Sequence, residues 1–274
     1  MKTLRYLPLV VALAAAPALA QGTSNNAPVA SGNAKDFTWS GKLADGAWIT
    51  VHDINGTVQV MPGTSDKVEV TATKRSRRGD EDRVRVEVVR AGKGDADVVI
   101  CALWTERATC DEEGIHQNNN RGSYNDRNDT QVDFKVYVPK NVKVGAHSVN
   151  GRVGVEGAGL EVDASSVNGS VEVTTEGGPV SATTVNGSVT ARMGHFTPKN
   201  DMEFSTVNGT VIAEFADDID ANIELETVNG HFATSFPVTL SGKINPRHLR
   251  ATLGKGGPRL KLTTVNGNVE LRKR

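Results

Sequence analysis

Thr184-Val185-Asn186-Gly187-Ser188-Val189-Thr190-Ala191 is the stretch whose reading decides the fold. Its first four residues return as Ser148-Val149-Asn150-Gly151, Ser166-Val167-Asn168-Gly169, Thr206-Val207-Asn208-Gly209, Thr227-Val228-Asn229-Gly230 and Thr264-Val265-Asn266-Gly267. An outlying copy, Asp53-Ile54-Asn55-Gly56, stands near the front. From Asn150 onward the asparagines are 18, 18, 22, 21 and 37 residues apart. The last gap divides into 16 and 21 if Ile244-Asn245-Pro246 is a degenerate copy. A short fixed period signals stacked supersecondary units rather than one independently packed globule.

Asn-Gly is a tight-turn signal, because both residues tolerate positive φ at little steric cost. After each turn, apolar residues fall at every second position: Val171 and Val173, Val211 and Ala213, Val269 and Leu271. That is strand periodicity with one face toward a core. A second turn signal lies between consecutive copies, Gly157-Ala158-Gly159 in one and Gly177-Gly178-Pro179 in the next. Each unit is then two short strands and two turns, and it needs its neighbours to bury its apolar face. Two all-β architectures satisfy this. One is a β-solenoid, each copy lying above the last; the other is an antiparallel meander with Asn-Gly hairpins. Near-constant spacing favours the solenoid, with Asn side chains forming amide ladders between coils.

The chain has 274 residues, 28 of them Gly, and only 5% are aromatic. That composition suits a thin, stacked β-protein. Residues 1–20 read as a signal peptide: Lys2 and Arg5, an apolar stretch from Leu7 to Leu19, then Ala18-Leu19-Ala20 before Gln21. Its cleavage removes two basic and no acidic residues, leaving 29 basic against 32 acidic. That balance gives no reason to expect nucleic acid, and no later segment is apolar enough to span a membrane. Residues 21–35 read as a flexible tether. Residues 36–274 read as one β-repeat domain, irregular over 36–144 and regular over 145–274. Phe37 and Trp39 are placed to close the end of the stack, and Val98 to Leu103 reads as a strand buried on both faces.

Cys101 and Cys110 are the only cysteines. In an exported chain an even pair closes into a disulfide. The loop from Gln117 to Thr130 is rich in oxygen donors of the kind calcium uses, but it lacks EF-hand spacing. A solvated loop is the simpler reading, although loops on a rigid scaffold are where binding concentrates. Arg77-Arg78-Gly79-Asp80 contains the tripeptide Arg-Gly-Asp, here in a charged hairpin loop. His52, His116, His147, His195, His231 and His248 show no metal-ligand spacing. There is no P-loop and no nucleophile elbow, so no cofactor and no catalytic residue is predicted. A polysaccharide-cleaving enzyme would need paired carboxylates. Asp217, Asp218 and Asp220 look like a turn, while Glu224 and Glu226 alternate with Ile223 and Leu225 as a solvent face. The charged tail Leu271-Arg272-Lys273-Arg274 is suited to blocking end-to-end strand addition.

Ile49-Thr50-Val51 with Ile54-Asn55-Gly56-Thr57-Val58-Gln59-Val60, then Asp133-Phe134-Lys135-Val136-Tyr137-Val138-Pro139, the Thr-Val-Asn-Gly copies and Gly254-Lys255-Gly256-Gly257-Pro258 form a set. Over residues 37–274 this set resembles the bacterial putative-adhesin β-strand-repeat family of uncharacterised exported domains. The resemblance implies a stacked β-architecture at the bacterial envelope, periplasmic or at the cell surface, and carries no catalytic residues with it. The expected role is a non-catalytic, adhesin-like binding or structural module, with an envelope protein or a surface glycan as partner. Its rivals are a polysaccharide-active enzyme and an envelope-stress accessory protein. The enzyme predicts a groove lined by acidic and basic side chains from adjacent coils.

Overall fold

Alternating apolar and polar residues on both sides of each Asn-Gly place one face of every strand inward. The computed structural model describes residues 28–117, 128–194, 199–240, 245 and 247–274. Its strands begin with β1 (Ala30–Gly32), β2 (Asp36–Gly41), β3 (Trp48–Asn55), β4 (Val58–Pro62), β5 (Val68–Arg75), β6 (Arg85–Ala91), β7 (Asp97–Leu103), β8 (Ala108–Asp111), β9 (Gly114–Gln117) and β10 (Gln131–Val138). The repeats follow as β11 (Lys143–Asn150), β12 (Val153–Ala158), β13 (Val162–Asn168), β14 (Val171–Thr175), β15 (Val180–Asn186), β16 (Val189–Met193), β17 (Met202–Asn208) and β18 (Val211–Phe215). The chain ends with β19 (Ala221–Asn229), β20 (Phe232–Thr234), β21 (Thr239–Leu240), β22 (His248–Leu253), β23 (Arg259–Asn266) and β24 (Val269–Lys273).

Two sheets take up all but one pair of these strands. One has the order β1-β6-β7-β3-β11-β13-β15-β17-β23-β19-β22-β21, the other β2-β5-β10-β4-β12-β14-β16-β18-β24-β20, and β8 pairs with β9 alone. Each Asn-Gly phrase closes a strand of the first sheet and opens one of the second, so the molecule is layered in two-strand tiers. Tiers pair parallel and in register: Asn150 lies beside Asn55, Asn168 beside Asn186, and Asn186 beside Asn208. Parallel pairing between copies excludes the antiparallel meander. Residues facing inward from both sheets, among them Val162, Ala164, Val171 and Val173, belong to one hydrophobic cluster that runs from Phe37 to Leu271.

The expected stacking in chain order holds as far as Asn208 and then breaks. The tier β23/β24, last in sequence, lies between β17/β18 and β19/β20, with Asn208 and Asn229 each beside Asn266. Gly254 to Pro258 makes this insertion possible by carrying the chain across the start of β19. There the Lys255 amide donates to Asp220 Oδ1 at 2.8 Å, and Asn222 donates to the Gly257 carbonyl at 2.7 Å. Among its described residues the 37-residue gap therefore holds no degenerate tier. It holds β21 and β22, which add antiparallel beyond β19. Asn245 makes only an isolated bridge to His248, and Ile244 and Pro246 lie outside the described residues. Nor does the charged tail guard an edge: β24 is flanked by β18 and β20. Its Arg272 pairs with Glu214 at 3.3 Å and with Glu270, and Lys273 pairs with Asp218 at 2.8 Å.

The front half is mixed. β5 joins β10 antiparallel while β10 joins β4 parallel. Phe37 is buried in β2, a sheet edge, and Trp39 packs partly buried against the core. Within the stretch read as a tether, Ala30–Gly32 pairs antiparallel with β6, and residues 21–27 lie outside the described residues. The signal-peptide reading lies outside the described residues, as does most of the 117–130 loop. Among the described residues no helix is long and apolar enough to cross a membrane. A lysine such as Lys74, next to the end of β5, ordinarily keeps its ammonium in water. Instead it is buried, with its ammonium unpartnered. Burial lowers its pKa, while Asp82 and Glu81 pull it up.

β7 is buried on both faces from Val98 to Leu103, because the β8–β9 hairpin covers its outer side. Val89, Ala91, Val99, Cys101, Leu103, Ala108 and Cys110 form a second small core there, with Ile115 against it. Cys101 and Cys110 are joined by a disulfide that staples the hairpin to the sheet. Replacing both with serine should cost about 2–3 kcal/mol, the value expected for so short a closed loop. Denaturant titration measures it, and amide exchange should rise first in Ala108–Asp111.

Candidate functional site

The repeated phrase builds three parallel side-chain rows up the first sheet, and the residue two before each Val adds a fourth. The residue before each Val points inward: Ser148, Ser166, Thr184, Thr206, Thr264 and Thr227 are buried. Each donates its hydroxyl to the glycine carbonyl of the adjoining tier, for example Thr184 to Gly169 at 2.7 Å, Thr206 to Gly187 at 2.8 Å and Thr264 to Gly209 at 2.9 Å. These bonds satisfy carbonyls at the corner, where the chain leaves one sheet for the other. Thr184→Val, which keeps shape and loses the bond, should cost about 1–2 kcal/mol for the buried carbonyl left unpaired, read by denaturant unfolding.

The asparagines form an amide ladder. Asn168 donates to Asn150, Asn186 to Asn168, Asn208 to Asn186, Asn266 to Asn208 and Asn229 to Asn266, each at 2.8 Å. The glycines answer a different need from the one their motif suggests. Among the described residues no asparagine has positive φ, so these are not hairpin turns of the Asn-Gly type. A Cβ on Gly151, Gly169, Gly187, Gly209, Gly267 or Gly230 would overlap the carbonyl oxygen of the glycine stacked against it, and on Gly56 that of Val132. Close backbone stacking demands glycine in every tier, and at Gly56, Gly209 and Gly267 a positive φ of 145°, 159° and 153° adds to that demand.

Facing outward are Val149, Val167, Val185, Val207, Val265 and Val228, 37–51% exposed. Beside them on the same face lie His147, Ser165, Thr183, Ser205, Thr263 and Glu226. At the front end His52 stacks on His147 with ring centroids 4.7 Å apart, and Gly114 of the disulfide hairpin lies against His52. His147 Nδ1 is 2.8 Å from Ser165 Oγ. Burial lowers His52 to about 4, with the neighbouring His147 adding to the shift. Burial lowers His147 as well. Both imidazoles are therefore neutral at pH 7.

The far end of the face is an ion cluster that sequence reasoning treated as plain solvent face. Glu224 is 9% exposed. Arg250, on the strand that doubles back, reaches it at 2.6 Å, and Arg259 at 3.7 Å. The hydrogen bond from Arg250 is the main reason the Glu224 carboxyl is held below its usual range. His248 Nδ1 lies 2.7 Å from Glu226 and its Nε2 3.6 Å from Glu224. The ligand atoms of Glu224, Glu226 and His248 lie within 4.8 Å of one another. Yet the imidazole bridges the two carboxylates through opposite nitrogens, so a single ion cannot use both contacts. Asn222, Glu224, Arg250, Thr252 and Arg259 line a shallow cleft of about 210 Å³ here. A signal existed in the sequence, since Arg250 and His248 fall two residues apart, as Glu224 and Glu226 do. The antiparallel return of β22 that pairs them could not be foreseen.

Of the other sequence candidates, Asp217 and Asp218 lie in the exposed connector before β19, and Asp220 accepts from Lys255 across that crossing. The Arg77–Asp80 loop is tied down by Asp129, whose carboxylate accepts from the Arg78 and Gly79 amides at 3.1 and 2.8 Å.

No family model matches this sequence, and no curated protein matches it. Similar solved structures include the following three. A putative cell adhesion protein from Clostridium sporogenes is 9% identical, with a TM-score of 0.49 over 88% of this chain and 99% of its own. A putative adhesin from Bacteroides fragilis is 12% identical, TM-score 0.32, over 88% and 97%. A putative adhesin from Parabacteroides merdae is 12% identical, TM-score 0.28, over 89% and 98%. Likeness at this level carries no argument about activity.

Proposed function

We propose that the tiers wind as a β-solenoid and that the chain is an exported, non-catalytic binding module of a bacterial envelope. The observation that carries this reading is the outward valine row, repeated tier after tier on a face that the fold itself does not cover. Single exposed valines are ordinary, but an aligned row of six beside ordered polar rows is the form of a contact surface. The leader-like residues 1–20 and the disulfide agree with export. The test is fractionation of the producing cell, followed by retention of residues 21–274 on its purified envelope. Retention on the envelope supports the module reading, and recovery of the chain in the cytosol without envelope affinity overturns it.

One observation favours the rival enzyme: the cleft at Glu224 is lined by acidic and basic side chains from adjacent strands. Arg250 holds Glu224 ionised, which restricts it to the nucleophile or base role, and glycoside cleavage needs a second carboxyl kept protonated as general acid. Turnover of any polysaccharide, abolished in Glu224→Gln, would establish the rival.

A further inference from the structure

We propose that the central strip of this face binds an uncharged, extended polysaccharide chain lying across the strands. The inference rests on the binding-module reading above and names its ligand class. In four consecutive tiers the strip reads Ser165-Val167-Asn168, Thr183-Val185-Asn186, Ser205-Val207-Asn208 and Thr263-Val265-Asn266. None of these twelve side chains is charged, in a protein of which 23% is Asp, Glu, Lys or Arg. The neighbouring row on the same face is charged in three of the four tiers, at Asp163, Glu203 and Lys261, with Ser181 in the other.

Neutrality speaks against an acidic or basic partner, for which opposite charge would steer and hold the complex. Size speaks against a second copy. The apolar part is narrow: six valines, 37–51% exposed, offer a few hundred Å², against the apolar half or more of about 800 Å² per partner in a stable protein interface. What remains is a thin ligand that repeats. Rows rise by about 4.8 Å per tier, and the Ser/Thr and Val rows stand about 6.6 Å apart along each strand. From Val149 to Val228 the valine row is therefore about 24 Å long, a track for several sugar rings end to end.

The chemistry of the rows fits such rings. A pyranose presents C–H faces and equatorial hydroxyls together. The valine methyls would take the C–H faces. The amides would take the hydroxyls, since each carboxamide has two N–H donors and two acceptor lone pairs. In Asn168, Asn186, Asn208 and Asn266 the ladder uses one of each. The ladder also fixes every amide in advance, so little rotamer freedom is lost on binding. The strip is bounded by the His52–His147 stack under the hairpin and by the Glu226–His248 ion cluster.

The test is retention of residues 21–274 on insoluble cellulose and chitin, with alginate as the charged comparison, at low and high salt. The proposal predicts retention on a neutral polymer that salt does not weaken. It predicts at least a tenfold loss in Val185→Lys/Val207→Lys and a several-fold loss in Val185→Thr/Val207→Thr, which keeps side-chain shape and strand preference. Thr190→Lys, on the opposite sheet, should bind as the parent does. Unfolding curves identify any variant that fails to fold, and the threonine pair then decides. Equal retention of strip variants and parent overturns the strip and leaves the module reading standing. So does envelope retention without affinity for either neutral polymer, salt-sensitive retention on alginate alone, or binding to an ice surface in place of glycan. Binding to no envelope material at all overturns both.

Discussion

Gly187→Ala is expected to destabilise the protein by about 3 kcal/mol or more, the upper range for forcing atoms into a packed site. A fall of roughly 6–12 °C in Tm follows for a chain of this size. The added methyl would enter the space of the Gly169 carbonyl, and neither backbone can retreat. Both are held by the tiers on either side, as in the Gly187 amide's bond to Asn208 at 3.0 Å. Asn186→Ala is the informative partner. It deletes two exposed ladder bonds and should cost only about 1 kcal/mol. Gly187→Asn separates the two explanations of glycine. A hairpin turn tolerates Asn at positive φ, so near-neutrality would restore the hairpin account; the stacking account makes Asn as harmful as Ala.

The second large effect concerns Asp53. It occupies the place that Ser148 and its equivalents hold in every other tier. It is 3% exposed, and neither oxygen has a hydrogen-bond partner. Burial pushes its carboxyl up to about 8, while the Asn55 and Ile54 amides pull weakly the other way without reaching hydrogen-bond geometry. A folded pKa above the unfolded one means that the native state holds the proton more tightly, so stability falls as pH rises from about 4 to about 8. His52, lowered to about 4 by burial, acts oppositely: its contribution is complete above about 6.5 and is lost as pH falls toward 4. The two slopes oppose each other between pH 4 and 6.5, and the Asp53 slope stands alone from 6.5 to 8. Asp53→Asn should therefore raise stability at pH 8 by on the order of 4–5 kcal/mol, at about 1.4 kcal/mol per pKa unit. It should also leave a profile that rises from pH 4 to 6.5 and is flat beyond. Denaturant midpoints at half-unit pH steps measure this, and a variant no more stable than the parent at pH 8 would refute the buried acid.

The repeat made the all-β class, the strand periodicity and the inward Val and Ala positions legible, because two-residue alternation carries the same meaning in any sheet. It misled about glycine, since Asn-Gly is shared by hairpins and by stacked corners, and only the backbone angles tell them apart. Tier order was illegible for a related reason. Thr206-Val207-Asn208-Gly209, Thr227-Val228-Asn229-Gly230 and Thr264-Val265-Asn266-Gly267 are interchangeable as neighbours, so nothing in them says which stacks on which. The ion cluster stayed hidden because Arg250 meets Glu224 across 26 residues through an antiparallel return. Lys74 and Asp53 break the pattern outright, as ionisable residues at inward positions of alternating strands.

The in-register stack, with its last tier threaded between two earlier ones, is tested most directly by paired cysteines. Asn208 and Asn266 are register partners, and adjacent parallel strands lie about 4.8 Å apart, within the Cα separation a disulfide spans. Asn208 and Asn229 are two tiers apart, at about 9.6 Å. Under mild oxidation Asn208→Cys/Asn266→Cys should close a second disulfide, seen by mass and thiol titration, while Asn208→Cys/Asn229→Cys keeps its free thiols. Closure of the second pair and not the first would contradict the threaded order.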